Sequence, residues 1–245
     1  MDEGFSEVIT SSFRKKDSIE LQNSLASDKG CLRSHLSSNI REVLDRNMPH
    51  ADVLGVSQIQ VFEIGTVFTK DTDHLVQEHV SLSIGVRMKQ QGFVPKDDVR
   101  LREVIEKVES ECDVSFNASL DHGVLECDFT KVFTALPKPT MYVPHISKPD
   151  ISYRAYSVYP FVSRDIALWV PEATTQETVE TLIRGKAGDL LVRLSLFDEF
   201  KKDTRMSYAF RLVFQSFDRT LTDEEVGKIM NSLYTEMQNQ GFEVR

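Results

Sequence analysis

Hydrophobic and polar positions alternate most clearly in the last third of the chain. The segment YPFVSRDIALWV places Ile166, Leu168 and Val170 at every second position, which predicts a strand with one buried face. Two further strands are predicted for GDLLVRLSLFDEF and MSYAFRLVFQSF, which the short polar segment KKDTR joins as a hairpin. At the end, Gly241 is expected to stop a helix, so that FEVR forms a final edge strand.

Two stretches between these strands have apolar residues at the three- and four-residue spacing of a helix. Thr174 with Glu177, and Thr222 with Glu225, predict a capping box at each helix start. The two apolar stripes are Val179, Leu182, Ile183 and Ala187, and Val226, Ile229, Met230, Leu233 and Met237. The order strand, helix, strand, strand, helix, strand predicts a ferredoxin-like βαββαβ domain at 158–245. Both helices would cover one face of an antiparallel sheet and leave the other face open.

The earlier part of the chain also mixes predicted strands and helices. VSQIQVFEIGTVF and HVSLSIGVRM predict two neighbouring antiparallel strands, and a helix is expected to start at Ser37. Asp97 is expected to cap a second helix that runs to Cys112 and precedes the strand GVLECDF.

Prolines mark the division of the chain, because four of its eight prolines lie in ALPKPTMYVPHISKPD. This division predicts an α+β protein with a first domain at 1–145, a linker at 146–157 and a second domain at 158–245.

The composition narrows the class of function. The formal net charge of -9 excludes a uniformly basic nucleic-acid coat, so any contact with RNA must be local. No segment approaches the roughly 18 to 20 apolar residues that cross a bilayer, and the first residues lack signal-peptide features, which predicts a cytoplasmic protein. Cys31, Cys112 and Cys127 are too scattered for a disulfide framework or a structural zinc site.

Basic and aromatic residues alternate in the predicted hairpin at 193–211. The cations are Arg193, Lys201, Lys202, Arg205 and Arg211, and the rings are Phe197, Phe200, Tyr208 and Phe210. Cations that bind phosphate and rings that stack on unpaired bases are what single-stranded RNA requires. Alternating rings also fill the core of a sheet, so we expect about half of these rings to be buried.

These segments carry a family resemblance. YPFVSRDIALWV, LFDEF, SYAFRLVFQSFDRTLTDEEV and GFEVR resemble the ferredoxin-fold anticodon-binding domain at the C-terminus of the bacterial phenylalanyl-tRNA synthetase beta subunit. Upstream, GFSEVITSSF, NSLASDKGCLRSHLSSNIREVLDRN and VFEIGTVF resemble the catalytic-like domain of that subunit, whose sheet is similar to a class II synthetase core. The family's beta subunit is far longer, so we expect either a fragment or a reduced subunit.

The resemblance implies a function as well as a fold. It implies a scaffold for a catalytic alpha subunit, in an assembly of two alpha and two beta chains that joins phenylalanine to tRNA(Phe). ATP and Mg²⁺ would serve the assembled enzyme, and this chain alone would bind neither. The residues agree with a non-catalytic role, because Phe62-Glu63-Ile64-Gly65 lacks the arginine of an ATP site and no glycine-rich phosphate loop is present. We therefore predict no catalytic residue and no metal site.

The resemblance also implies the anticodon contacts. The family's contact positions fall on Asp198, Phe200, Ser207 and Arg245 in this chain, with Lys201, Lys202 and Arg205 as nearby cations. A carboxylate can accept hydrogen bonds from guanine N1–H and its amino group, a ring can stack on a base, and a hydroxyl can donate or accept. The alternative from a different class is a small-ligand-sensing regulatory protein, because ferredoxin-like sheets also serve that purpose.

Overall fold

The computed structural model describes residues 3–24, 26–89, 96–136, 138, 141 and 155–245. Internal contacts divide the chain into two compact units, Met1–Ala51 with Val56–Pro144, and Asp52–Gly55 with His145–Arg245. The strands are β1 (Ser6–Glu7), β2 (Phe13–Arg14), β3 (Ile19–Glu20), β4 (Cys31–Leu32), β5 (Gln58–Lys70), β6 (Val76–Met88), β7 (Ser119–Asp121), β8 (Val124–Asp128), β9 (Val162–Pro171), β10 (Leu191–Lys202), β11 (Arg205–Phe214) and β12 (Glu243–Val244). The helices are α1 (Ser37–Asn47), α2 (Ala51–Leu54), α3 (Lys96–Cys112), α4 (Phe129–Ala135), α5 (Gln176–Ala187) and α6 (Asp223–Asn239), with one 3₁₀ turn at Met48–His50.

The first unit is built on a five-stranded sheet in the order β1-β5-β6-β8-β7. β5 and β6 pair antiparallel along their whole length, from Gln58 opposite Met88 to Lys70 opposite Val76, which confirms the predicted pair. β1 runs parallel to β5, and a separate three-stranded sheet has the order β2-β4-β3. The core beneath α3 is apolar and includes Leu82, Val86 and Leu101.

Helix α1 starts at Ser37, as the sequence predicts, but no serine side chain caps it. The Glu126 carboxylate of β8 accepts hydrogen bonds from the N–H groups of Leu36 at 2.8 Å and Ser37 at 2.7 Å, and from the Ser81 hydroxyl at 2.7 Å. A carboxylate satisfies the free N–H groups at a helix start and complements the positive end of its dipole. The cap therefore comes from a distant strand.

The predicted cap at Asp97 is wrong. α3 already includes Lys96, so Asp97 lies inside the first turn, and its Oδ1 accepts a hydrogen bond from the Met88 N–H at 2.8 Å. The carboxylate therefore binds the end of β6. Asp97 thus links α3 to β6 of the sheet through a side-chain hydrogen bond.

A buried ion pair joins Glu63 of β5 to Arg33, the residue after β4. Arg33 Nη1 is 2.8 Å from Glu63 Oε1, and the two side chains are only 4% and 2% exposed. Arg33 Nε also donates to the Thr66 carbonyl at 2.9 Å, and Thr10 donates to Glu63 through its N–H at 3.2 Å and its hydroxyl at 2.6 Å. A Cβ at Gly65 would lie 2.5 Å from Arg33 Nη2, so glycine leaves the room that the guanidinium occupies. Buried charges are stable in a protein only when paired and hydrogen-bonded in this way.

The second unit has four antiparallel strands in the order β10-β11-β9-β12. With α5 after β9 and α6 after β11, this is the predicted ferredoxin-like βαββαβ arrangement. Both helices pack on one sheet face in a single apolar cluster, which includes Leu168 of β9, Phe210 of β11 and Leu233 of α6. The hairpin turn at Asp203 and Thr204 and the edge strand after Gly241 also match the prediction.

The two predicted helix caps have different outcomes. The capping box of α6 is confirmed, because Thr222 Oγ1 accepts from the Glu225 N–H and the Glu225 carboxylate accepts from the Thr222 N–H. The capping box at Thr174 is wrong: Thr175 is the N-cap of α5, and its side chain accepts from the Thr178 N–H. Thr174 instead belongs to the turn after β9, where its N–H donates to the Pro171 carbonyl.

Candidate nucleic-acid interface

The sheet face opposite α5 and α6 carries the candidate site. Ile166, Leu168 and Val170 point into the core, so the residues between them on β9 face the other way. On that open face, the cross-strand pairs between β9 and β11 are Asp165 with Arg211, Ala167 with Ala209, and Trp169 with Ser207.

A β-bulge in β10 decides which of its side chains join this face. Leu196 pairs with Phe210 and Asp198 with Ala209, so Phe197 is an extra residue without a cross-strand partner. Leu194 and Leu196 pack on the core side, and without the bulge Asp198 and Phe200 would follow them. The extra residue turns Asp198 and Phe200 to the open face, opposite Ala209 and Ser207.

Three of the four predicted contact residues converge at one end of this face. Phe200 pairs with Ser207, and the Arg245 guanidinium carbon lies 5.6 Å from the centroid of the Phe200 ring. The Arg245 N–H donates to the Ala167 carbonyl at 2.9 Å, which extends β12 along β9. Ser207 is only 2% exposed, whereas Phe200 is 37% exposed. The ring and the guanidinium are therefore open to a ligand, and the hydroxyl is covered in this conformation.

Asp198 lies on the same strand face two residues before Phe200, and its side chain is exposed. Among the residues that the structure describes, its carboxylate makes no ion pair or hydrogen bond. The ring of Phe197 beside it is 50% exposed and faces the Arg211 guanidinium carbon at 5.3 Å. An exposed carboxylate between two exposed rings has both a hydrogen-bond acceptor and stacking surfaces for an unpaired base.

The predicted cations occupy different surroundings. Lys201 pairs with Met206 on the core side of the sheet and binds Glu172, so it lies on the opposite face from Asp198. Lys202 is exposed at the hairpin turn, opposite Arg205. Because successive side chains of a strand point to opposite faces, Lys201 does not share a surface with Asp198. The contact of Lys201, Lys202 and Arg205 with RNA stays a prediction.

Arg211 is held firmly on the open face. It donates two hydrogen bonds to the Asp165 carboxylate at 2.8 and 2.7 Å, and these bonds raise the pKa of the Arg211 guanidinium. A bidentate pair of this kind fixes the orientation of the guanidinium. Arg211 thereby supports the Phe197 ring while remaining a cation at the edge of the candidate site.

Trp169 belongs to this surface, although residue reasoning did not single it out. Its ring centroid lies 5.1 Å from that of Phe200 with the two planes at 82°, and the Arg205 guanidinium carbon lies 5.1 Å from the Trp169 ring. The signal was available in the sequence: Trp169 stands between Leu168 and Val170 of the buried stripe, so alternation places it on the open face. As expected, about half of the hairpin rings are buried, because Tyr208 and Phe210 lie in the core and Phe197 and Phe200 do not.

The polar residues of the turn between β5 and β6 have a structural role. Asp71 accepts hydrogen bonds from the N–H groups of Asp73 and Leu75 and from Gln77 Nε2, which lowers its pKa and closes the turn between β5 and β6. His74 sits at the tip of that turn. The described residues contain no cluster of three or more histidine, cysteine or acidic side chains that could hold a metal ion. Within the same residues, no helix is long and apolar enough to cross a membrane.

Comparisons with known proteins match both units. A family model described as "Ferredoxin-fold anticodon binding domain" matches residues 157–245, and one described as "Phenylalanyl tRNA synthetase beta chain CLM domain" matches residues 1–117. The chain is 24% identical over 267 residues to a phenylalanine-tRNA ligase beta subunit of Clostridium tetani, an alignment that covers 94% of this chain and 32% of the relative.

Two other relatives match about 100 residues or fewer. A chloroplastic/mitochondrial phenylalanine-tRNA ligase of Arabidopsis thaliana is 36% identical over 92 residues, which is 37% of this chain and 21% of the relative. A beta subunit of Symbiobacterium thermophilum is 39% identical over 101 residues, which is 40% of this chain and 11% of the relative. The chain thus spans about a third or less of the length of these relatives.

Fold and surface together define an α+β protein whose second unit is a ferredoxin-like domain with an open, charged and aromatic sheet face. The chain belongs to the phenylalanyl-tRNA synthetase beta-chain family, and it corresponds to the C-terminal region of that family's longer members.

Proposed function

We propose that this chain acts as the C-terminal part, or a reduced form, of a phenylalanine-tRNA ligase beta subunit, and that the open face of its second unit binds the anticodon of tRNA(Phe). The observation that carries this proposal is the meeting of Phe200, Arg245 and the exposed Asp198 on the sheet face that both helices leave uncovered. The match of this unit to a ferredoxin-fold anticodon-binding domain supports it.

Each side chain has a role that its chemistry permits. The Asp198 carboxylate accepts hydrogen bonds from N1–H and the amino group of a guanine, and a pyrimidine lacks that pair of donors. The Phe200 ring stacks on an unpaired base, and Arg245 binds a base edge or a phosphate. Ser207 joins only if the side chains around it move, since Ser207 is 2% exposed in the free chain.

The first unit, residues 1–145, is proposed to be a scaffold that docks on a catalytic alpha subunit, with 146–157 as a linker to the domain at 158–245. In the assembled enzyme of two alpha and two beta chains, located in the cytoplasm, ATP and Mg²⁺ would be bound elsewhere than on this chain. The buried ion pair between Glu63 and Arg33 supports this non-catalytic role, because a carboxylate that is bound to Arg33 cannot also bind a nucleotide. The alternative of a small-ligand sensor is not favoured by either matched family.

The test uses the complex of this chain with the alpha subunit from the same genome. Asp198→Ala is expected to lower kcat/KM for tRNA about 5- to 150-fold, because a well-placed bidentate contact to a base is worth about 1–3 kcal/mol. Phenylalanine-dependent pyrophosphate exchange should stay unchanged, since it needs no anticodon.

Glu199→Ala is the matched control, because Glu199 is also an exposed carboxylate but pairs with Tyr208 on the core side of the sheet. Equal losses in aminoacylation and pyrophosphate exchange for Asp198→Ala would refute the anticodon role. Failure of the two chains to elute together would contradict the scaffold role.

A further inference from the structure

Trp169 has no role in the contacts proposed above, although it lies among them. It is the only tryptophan of the chain, and it stands opposite Ser207 on the open face. Its ring meets the Phe200 ring nearly at a right angle, with the centroids 5.1 Å apart. The two rings therefore form one continuous aromatic surface rather than two isolated ones.

A large ring on this face contributes little to the core of the unit, because the helices pack on the other side. Tryptophan in such a position is typical of interfaces, where a rigid ring gives a large contact area at low entropic cost. The exposure of the neighbouring rings supports the same role, because Phe200 is 37% and Phe197 is 50% exposed on the same face. The surface therefore has more stacking area than one base can cover.

Arg205 places its guanidinium over the Trp169 ring, so it is a cation within reach of the phosphate of a nucleotide bound there. Its guanidinium carbon is 5.1 Å from the ring centroid, and its Nη1 is 2.7 Å from Glu243 Oε2. The side chains of Arg205 and Glu243 are 52% and 66% exposed. An ion pair this exposed contributes little stability, so Arg205 can exchange the carboxylate for a phosphate at little cost.

We propose that Trp169 is a second base-stacking position, which takes the unpaired nucleotide next to the one on Phe200, and that Arg205 binds the phosphate of that nucleotide. This rests on the proposed binding of RNA to the open face. Two nearly perpendicular rings hold neighbouring bases only when those bases are splayed apart, which single-stranded loops allow and duplexes do not. The site therefore selects an unpaired dinucleotide step.

The single tryptophan makes the test direct. The whole chain is titrated with a fluorescein-labelled anticodon stem-loop that carries GAA, and RNA anisotropy and Trp169 emission are followed in the same titration. We expect Trp169 emission to change and to saturate together with the anisotropy. Trp169→Leu should weaken binding about 5- to 150-fold, since stacking on one aromatic ring is worth about 1–3 kcal/mol per base. Trp169→Phe should restore part of that affinity, because it keeps a ring.

Phe217→Leu is the matched control, because Phe217 is an exposed ring of the same unit outside the sheet. Circular dichroism and thermal unfolding verify that each variant folds. RNA binding without a change in Trp169 emission would overturn the proposal, even if Trp169→Leu binds less well, because the ring would then only support Phe200. In that case the anticodon role would still stand. A failure of the unmodified chain to bind the stem-loop would instead count against the anticodon role itself.

Discussion

Breaking the buried ion pair of the first unit is expected to cost far more stability than breaking an exposed one. In Arg33→Met, the Glu63 carboxylate stays 2% exposed and charged, with only the bonds from Thr10 left to it. Removal of one partner of a buried pair costs about 3–5 kcal/mol. Because the bond to the Thr66 carbonyl is lost as well, we expect a loss in the upper half of that range. Arg41→Met, whose pair with Asp121 is 34% and 62% exposed, should cost less than about 1 kcal/mol.

Hydrogen exchange measured by mass spectrometry on peptides from β5 and α1 is the suitable assay, because Trp169 emission reports only on the second unit. A loss of about 4 kcal/mol raises the exchange of globally protected amides roughly a thousandfold, since each 1.4 kcal/mol is a factor of ten. The double variant Arg33→Met, Glu63→Leu should recover part of the loss, because no unpaired charge remains. Equal losses in Arg33→Met and Arg41→Met would refute the reasoning, and a double variant no better than the single one would show that the unpaired charge is not its cause.

Three further outcomes are expected. A Cβ at Gly85 would lie 2.4 Å from Ile40 Cγ2, so Gly85→Ala should destabilise the first unit by about 1–3 kcal/mol in urea unfolding. At Gly227 on α6, a Cβ meets no described atom within 4 Å. Gly227→Ala should therefore stabilise the second unit by up to about 1 kcal/mol. Hydrogen bonding from the Thr222 N–H lowers the pKa of Glu225 from 4.5 to about 2, so its stabilisation is complete above pH 4.5 and is lost as the pH falls from 4.5 toward 2. The melting temperature should accordingly depend less on pH in that window in Glu225→Gln, and an unchanged dependence would contradict the assignment. Burial raises the pKa of the Cys127 thiol to about 11, so iodoacetamide near pH 8 should label the exposed Cys112 well before Cys127, as peptide mass spectrometry can follow.

The fold of the second unit could be predicted from its sequence because the apolar residues of most elements repeat at the period of a strand or a helix. β9 and β11 alternate, α6 has a continuous apolar stripe, and these periods differ enough to separate strand from helix. Helix starts were less predictable: Thr174 and Thr175 are adjacent and equally suited to cap α5, and only the turn after β9 decides between them. Asp97 shows the same limit, because its preferred donor lies in a strand rather than in its own helix.

The candidate site was predictable only in part, and the bulge in β10 is the reason. Strict alternation from Leu194 and Leu196 places Asp198 and Phe200 in the core, whereas the extra residue Phe197 turns both to the open face. A bulge leaves no clear mark in a single sequence, so the family resemblance pointed to these residues and residue periodicity did not. Alternation was sufficient for Trp169, which lies in an unbroken strand.

The cap of α1 has a consequence for the order of folding. The first N–H groups of the helix are bound not by neighbouring residues but by the carboxylate of Glu126, 90 positions after Leu36. Closing a loop of that length is slow compared with forming a local turn. During synthesis, the first turn of α1 therefore stays frayed until β8 has left the ribosome and has paired with β6. A substitution at Glu126 is accordingly expected to leave the start of α1 frayed even after the unit has folded.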